Sequence, residues 1–159
     1  MRKSSGNTAK YIECINPKKN KWRIRWDFHE KDEGIIEYME EDYDHQPTEE
    51  EIRDTIISYY NDEIDKEIIS GFTWNGLQVW LSMENQFNYK AAFDAAVMSN
   101  GTTLPVKFKF GTDDEPVYHE FTTIEELSNF YYASIAYVQS ILTKGWAKKD
   151  MFNIKNYEL

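Results

Sequence analysis

Apolar residues along this chain alternate between a two-residue and a four-residue spacing, and each change of spacing marks a new element. Lys21-Trp22-Arg23-Ile24-Arg25-Trp26-Asp27-Phe28 carries the cleanest strand pattern. Trp22, Ile24, Trp26 and Phe28 share one face, and Lys21, Arg23, Arg25 and Asp27 the other. Residues 11–15 read as a shorter strand, set off by the turn-forming Asn16-Pro17-Lys18-Lys19-Asn20. After Gly34, residues 35–39 read as a third strand, with Glu37 placed to face Arg23 or Arg25. Residues 1–9 are small and polar, the composition of a flexible, frayed terminus. Residues 10–46 therefore form a three-stranded antiparallel meander whose aromatic face needs a cover.

The next segment supplies that cover. Pro47-Thr48-Glu49-Glu50-Glu51 is a helix start, with Thr48 as N-cap, Glu51 closing a capping box, and acids where the macrodipole favours them. Ile52, Ile56, Tyr60, Ile64 and Ile68 then recur every four residues, and Ser70-Gly71 ends the helix. Phe72-Thr73-Trp74-Asn75-Gly76-Leu77-Gln78-Val79 spells a hairpin. Asn75-Gly76 takes the two positive-φ positions of a type I′ turn, which pairs Phe72 with Val79 and Trp74 with Leu77. Ser82 caps a second helix to about Met98, closed by Asn100-Gly101. Residues 106–110 and 117–121 form a second hairpin around Gly111-Thr112-Asp113-Asp114-Glu115-Pro116. Thr122 or Thr123 opens a third helix that Gly145 is expected to end. Residues 146–159 are then a C-terminal tail whose Trp146, Phe152, Ile154 and Tyr157 dock back. The order is that of an α+β fold with antiparallel pairs. It predicts one domain over 10–145, the meander followed by an α+β unit over 47–145.

The stretch Ile64-Asp65-Lys66-Glu67-Ile68-Ile69-Ser70-Gly71-Phe72-Thr73-Trp74-Asn75-Gly76 resembles a small phage domain of unknown function. The likeness continues through Ser82, Gln86 and Asn88, a short hairpin, and a last helix opening with Thr123-Ile124-Glu125-Glu126-Leu127. That domain occurs in phage tail, tail-fibre and tail-fibre-assembly proteins and in hypothetical prophage proteins of gut anaerobes. The resemblance covers residues from about 62 to 143. It implies a tail-associated structural or accessory protein, found in the virion or in the host cytoplasm during assembly.

Charge sharpens the picture. The 159 residues hold 18 Lys plus Arg against 28 Asp plus Glu, a net charge of −10. Residues 1–26 are basic, with eight cations and one acid, whereas residues 27–67 hold 17 acids and three cations. A chain this acidic repels a phosphate backbone, which disfavours nucleic acid as a partner. Cross-strand pairing between the basic and acidic segments is the preferred reading of the layout, ahead of an anion site. No apolar run is long enough to span a membrane, and no apolar core of a signal peptide follows the basic start. The single Cys14 reads as an inert, buried strand residue.

No phosphate-binding loop, dinucleotide fingerprint or nucleophile elbow is present, so no enzyme activity and no cofactor are expected. His29, His45 and His119 are far apart and read as surface or hydrogen-bonded residues. Glu40-Glu41-Asp42-Tyr43-Asp44-His45 reads as a solvated acidic loop rather than a cation site, and no metal is expected. The 25 aromatics exceed what one core of this size needs. Their surplus points to an interaction patch including Trp80, Asn85, Tyr89, Trp146, Phe152 and Tyr157. Glu84-Asn85-Gln86 beside Trp80 and Tyr89 also suits a polar-aromatic pocket for sugars or peptides, although capping by Ser82 and Asn85 with Trp80 packed inward is the preferred reading. The leading function is protein–protein contact, with copies of itself as a homo-oligomer or with tail components. The alternatives are a glycan- or peptide-binding module and an acidic inhibitor that mimics nucleic acid.

Overall fold

Strand alternation in the first third of the chain builds an antiparallel sheet of four strands rather than three. In the computed structural model, which describes residues 1–31 and 34–159, these are β1 (Arg2–Gly6), β2 (Ile12–Asn16), β3 (Lys21–Glu30) and β4 (Ile36–Tyr43), in the order β1-β4-β3-β2. The extra strand is the segment expected to fray. It lacks apolar alternation, but charge holds it against β4: Arg2 meets Glu40 at 2.8 Å, Lys3 meets Glu37 at 2.8 Å, and the Met1 amine meets Glu41. Strand β4 runs past Met39 to Tyr43, so most of the expected acidic loop is strand. Glu37 binds Lys3 and Lys31 rather than Arg23 or Arg25.

The chain forms two compact units, Met1–Tyr59 with Met151–Leu159 and then Tyr60–Asp150. The long helix α1 (Glu49–Ser70) contributes its first half to one and its second half to the other. The capping box at its start is complete: Thr48 N donates to Glu51 Oε2 at 2.8 Å, and Glu51 N to Thr48 Oγ1 at 3.3 Å. All five residues of the four-spaced stripe, Ile52 to Ile68, are buried.

In the first unit Ile24 and Trp26 are buried as the alternation predicts, and Trp26 packs edge-on against Tyr59 with ring centres 5.6 Å apart. Phe28 departs from the pattern. Asp27 has a φ of 56° and the β3–β4 register slips between Trp26 and His29. The bulge turns Phe28 onto Tyr11 and Tyr38, at 4.8 and 5.8 Å, and Tyr38 lies beneath the Arg25 guanidinium. Trp22 is half-buried. The C-terminal segment does dock back: Tyr157 is buried and its hydroxyl donates to the Arg25 carbonyl at 2.8 Å.

The second unit holds two hairpins, β5 (Phe72–Trp74) with β6 (Leu77–Val79) and β7 (Val106–Gly111) with β8 (Pro116–Phe121). They pack with α2 (Met83–Met98) and α3 (Ile124–Asp150). The first hairpin turns on Asn75 and Gly76 at φ 50° and 78°, pairing Phe72 with Val79 as expected. Phe130 of α3 is fully buried, and the rings of Phe72, Trp74, Tyr89, Phe108, Phe110 and Phe121 lie within 6.4 Å of it. Much of the aromatic surplus therefore fills an interior. Gly145 does not end α3; it is buried inside the helix, which continues to Asp150 and takes Trp146 out of the expected tail.

Candidate functional site

The exit of β6 and the start of α2 are fastened together by side-chain amides. Ser82 caps the helix by accepting from Asn85 N at 3.2 Å. Asn85 Nδ2 donates to the Trp80 carbonyl at 2.8 Å, and Gln86 Nε2 to the Leu81 carbonyl at 2.7 Å. These bonds fix the backbone that presents Trp80, which is 52% exposed. Asn85, Asn88 and Tyr89, at helical spacing, then share one face of α2.

That face borders a cleft of about 870 Å³. Trp80, Asn85, Asn88 and Tyr89 line it, with Gln78 from β6 and Lys107 to Lys109 and the Gly111–Asp113 turn from the second hairpin. Tyr89 is 3% exposed and packs edge-on against Phe108 with centroids 4.7 Å apart. Burial pushes its phenol up to about 12, so it is a protonated donor at neutral pH. The two lysines are already compensated. Lys109 meets Asp113 at 2.9 Å, a bond that raises the lysine and lowers the carboxylate, and Lys107 meets Glu120 at 3.8 Å.

A second feature lies between α2 and α3, where Met83, Phe87, Tyr131, Ile135 and Val138 line a groove of about 370 Å³. Met83 and Phe87 are 86% and 71% exposed, and Tyr132, Ile135 and Trp146 on α3 are exposed too.

Of the six residues expected to form a patch, the structure brings Trp80, Asn85 and Tyr89 to one cleft. Tyr89 is nevertheless a floor residue, because its ring belongs to the core. Trp146 is an exposed helix residue. Phe152 and Tyr157 belong to the other unit, where Phe152 is half-buried with the Arg53 guanidinium 5.5 Å from its ring centre and Tyr157 is buried. Gln78, Asn88, Lys107 and Lys109 are among the cleft residues that the sequence did not single out as site residues. The alternation of Lys107 and Lys109 with Phe108 and Phe110 was visible, but not which face meets α2.

Charge is organised mainly as structure. Glu40 is buried among Arg2, Arg23 and Arg25, and Arg25 also meets Glu13 at 2.5 Å. His45 meets Glu51 at 2.9 Å, His119 meets Glu126 at 2.8 Å, and His29 meets Asp27 at 3.3 Å. Cys14, expected to be buried, is half-exposed on β2. Among the described residues no group of three or more His, Cys, Asp or Glu is placed to hold a metal ion, and no helix is long and apolar enough to cross a membrane.

Residues 51–158 match the family described as a domain of unknown function, DUF4376. No curated protein and no solved structure matches the chain.

Proposed function

The chain belongs to the DUF4376 family, and we propose that it is a phage or prophage structural or accessory protein, tail-associated, that works through protein–protein contacts rather than catalysis. The tail assignment is supported by the sequence resemblance over residues from about 62 to 143. The contact reading is carried by the α2–α3 face. Residues 127–143 hold no charged side chain, in a chain that is 29% charged. A helix of such composition is normally covered all round, yet Tyr132 and Ile135 are exposed on it, and Ile135 shares a groove with the exposed Met83 and Phe87 of α2.

The occupant is a second copy of this chain. At a net charge of −10, two copies repel across most of their surfaces. The α2–α3 groove is where they meet without opposing like charges, since its one charged lining residue, Lys90, is held by Asp94 at 2.6 Å. A self-complementary apolar face of this kind closes as a symmetric pair. Light scattering on the full chain tests the reading. A dimer or larger assembly is expected, and Phe87→Glu with Ile135→Glu should give a monomer with an unchanged thermal melt. Pull-down against co-encoded tail proteins tests the wider assignment. A strictly monomeric chain with no tail partner, or one that turns over a substrate, overturns it.

A further inference from the structure

We propose that the cleft bordered by β6, α2 and β7 is a carbohydrate-binding site that takes an uncharged sugar ring against Trp80. The proposal does not depend on self-association through the α2–α3 face. A pyranose presents an apolar face of C–H groups and a fringe of hydroxyls that both donate and accept. Its complement is a flat exposed ring beside neutral groups that also donate and accept. The cleft has both. Trp80 is half-exposed with its backbone held by Asn85, so the indole stands at the rim without being drawn into the core.

The polar complement comes from three amides and a phenol. Asn85 and Gln78 each donate one amide N–H to a backbone carbonyl, that of Trp80 at 2.8 Å and that of Ser70 at 3.0 Å. Each side-chain oxygen remains to accept from a sugar hydroxyl. Asn88 is exposed on the same helix face and brings a complete amide to the cleft. Tyr89 is the decisive residue. Its side chain is almost wholly buried, yet among the described residues its hydroxyl has no hydrogen-bond partner and is not one of the sealed-off polar atoms. A hydroxyl held this way has the cleft as its outlet, and a ligand there satisfies it.

The surrounding charge argues for the class of sugar. Lys107 and Lys109 are each neutralised by an acid from the same hairpin, so the cleft offers no surplus cation for a phosphate or carboxylate. The amide and phenol side chains of its lining both donate and accept, which matches the hydroxyl fringe of a sugar. At about 870 Å³ the cleft has room for more than one ring, which fits an oligosaccharide.

The experiment is a glycan array of neutral and acidic oligosaccharides probed with the full chain, followed by calorimetric titration of the strongest neutral ligand. The expected result is retention of neutral saccharides. Trp80→Ala should weaken the Kd by about tenfold or more, as loss of a stacking ring does. Tyr89→Phe should weaken it by about fivefold through loss of one hydrogen bond, while keeping the buried ring and the thermal melt. Phe87→Glu should leave sugar binding unchanged, which separates this site from the oligomer face. Absence of saccharide binding, binding confined to acidic glycans and lost in high salt, or affinity indifferent to both Trp80→Ala and Tyr89→Phe would overturn the proposal.

Discussion

Gly145 on α3 lies so close to Ile64 on α1 that a methyl group on the glycine would overlap Ile64 Cγ1 and Cδ1. The glycine is a packing residue rather than a helix terminator. Absence of a side chain lets two helix surfaces of the second unit approach at this point, and Ile64, from the four-spaced stripe of α1, fills the space.

Gly145→Ala should therefore destabilise the protein although it raises helix propensity. Crowding a stiff, β-branched side chain costs about 1–3 kcal/mol, against a propensity gain of about 1 kcal/mol. A lower urea midpoint is expected, with partial recovery when Ile64→Val is added to remove the crowding methyl. Such recovery in a double-mutant cycle would identify the contact as the cause. An unchanged or raised midpoint for Gly145→Ala alone would contradict the close approach.

The Asn75-Gly76 turn offers a backbone test. Gly76 holds a φ of 78°, where a β-branched side chain is strained. Open space surrounds the position, so strain rather than collision sets the outcome. Gly76→Val should cost about 1–3 kcal/mol and Gly76→Asn markedly less, because asparagine tolerates left-handed backbone. Thermal melts of the two variants give the comparison, and equal melts would refute a type I′ turn.

These two glycines show what the sequence made legible. Asn75-Gly76 announces itself locally, as do the Thr48–Glu51 capping box and the Ile52 to Ile68 stripe, because each signal is complete within a few residues. Gly145 carried the same residue type but a different meaning, set by Ile64 far away in the chain. Phe28 was misplaced for a similar reason: its strand alternates faithfully until Asp27, whose bulge is met by the Tyr59 hydroxyl 2.9 Å away on α1. The first strand was missed because opposite charge on β4 holds it, not apolar alternation. In the cleft, Trp80, Asn85 and Tyr89 were found by adjacency, while Lys107 and Lys109 needed the packing of β6 on β7.

Glu40 and Arg25 form the most buried ion pair of the first unit, with Glu40 Oε2 accepting from Arg25 Nε at 3.2 Å and Glu40 3% exposed. Arg2 reaches the other carboxylate oxygen at 2.8 Å. Glu40→Ala leaves the buried Arg25 with Glu13, the Lys10 carbonyl and the Tyr38 ring, and should cost about 3–5 kcal/mol. Replacing both partners, Glu40→Leu with Arg25→Met, removes the uncompensated charge and should be less harmful than Glu40→Ala alone. Urea titration of the two variants decides this. A double variant at least as unstable as the single would show that the ion pair itself stabilises the sheet.

Asp42 gives the sheet its pH dependence. Arg23 Nε donates to Asp42 Oδ1 at 2.5 Å and Nη2 to Oδ2 at 3.0 Å, and Arg2 Nη2 adds a contact at 3.2 Å. The Arg23 hydrogen bonds lead in lowering the carboxyl from its ordinary 3.8 to about 2, against a partial desolvation penalty. The folded state thus binds a proton less readily than the unfolded chain does. The stabilisation is fully present above about pH 4 and is lost as the pH falls towards 2. Glu37 and Glu51 are lowered as well, by Lys3 and by the Thr48 N–H respectively, and they add slope of the same sign. Asp42→Asn should therefore reduce stability at neutral pH and flatten, without abolishing, the fall in urea midpoint between pH 4 and 2. Because Asp42 is about one-third exposed, high salt should shrink the difference between the two proteins. Parallel pH profiles for the parent chain and Asp42→Asn would show that the arginine pair contributes nothing to acid unfolding.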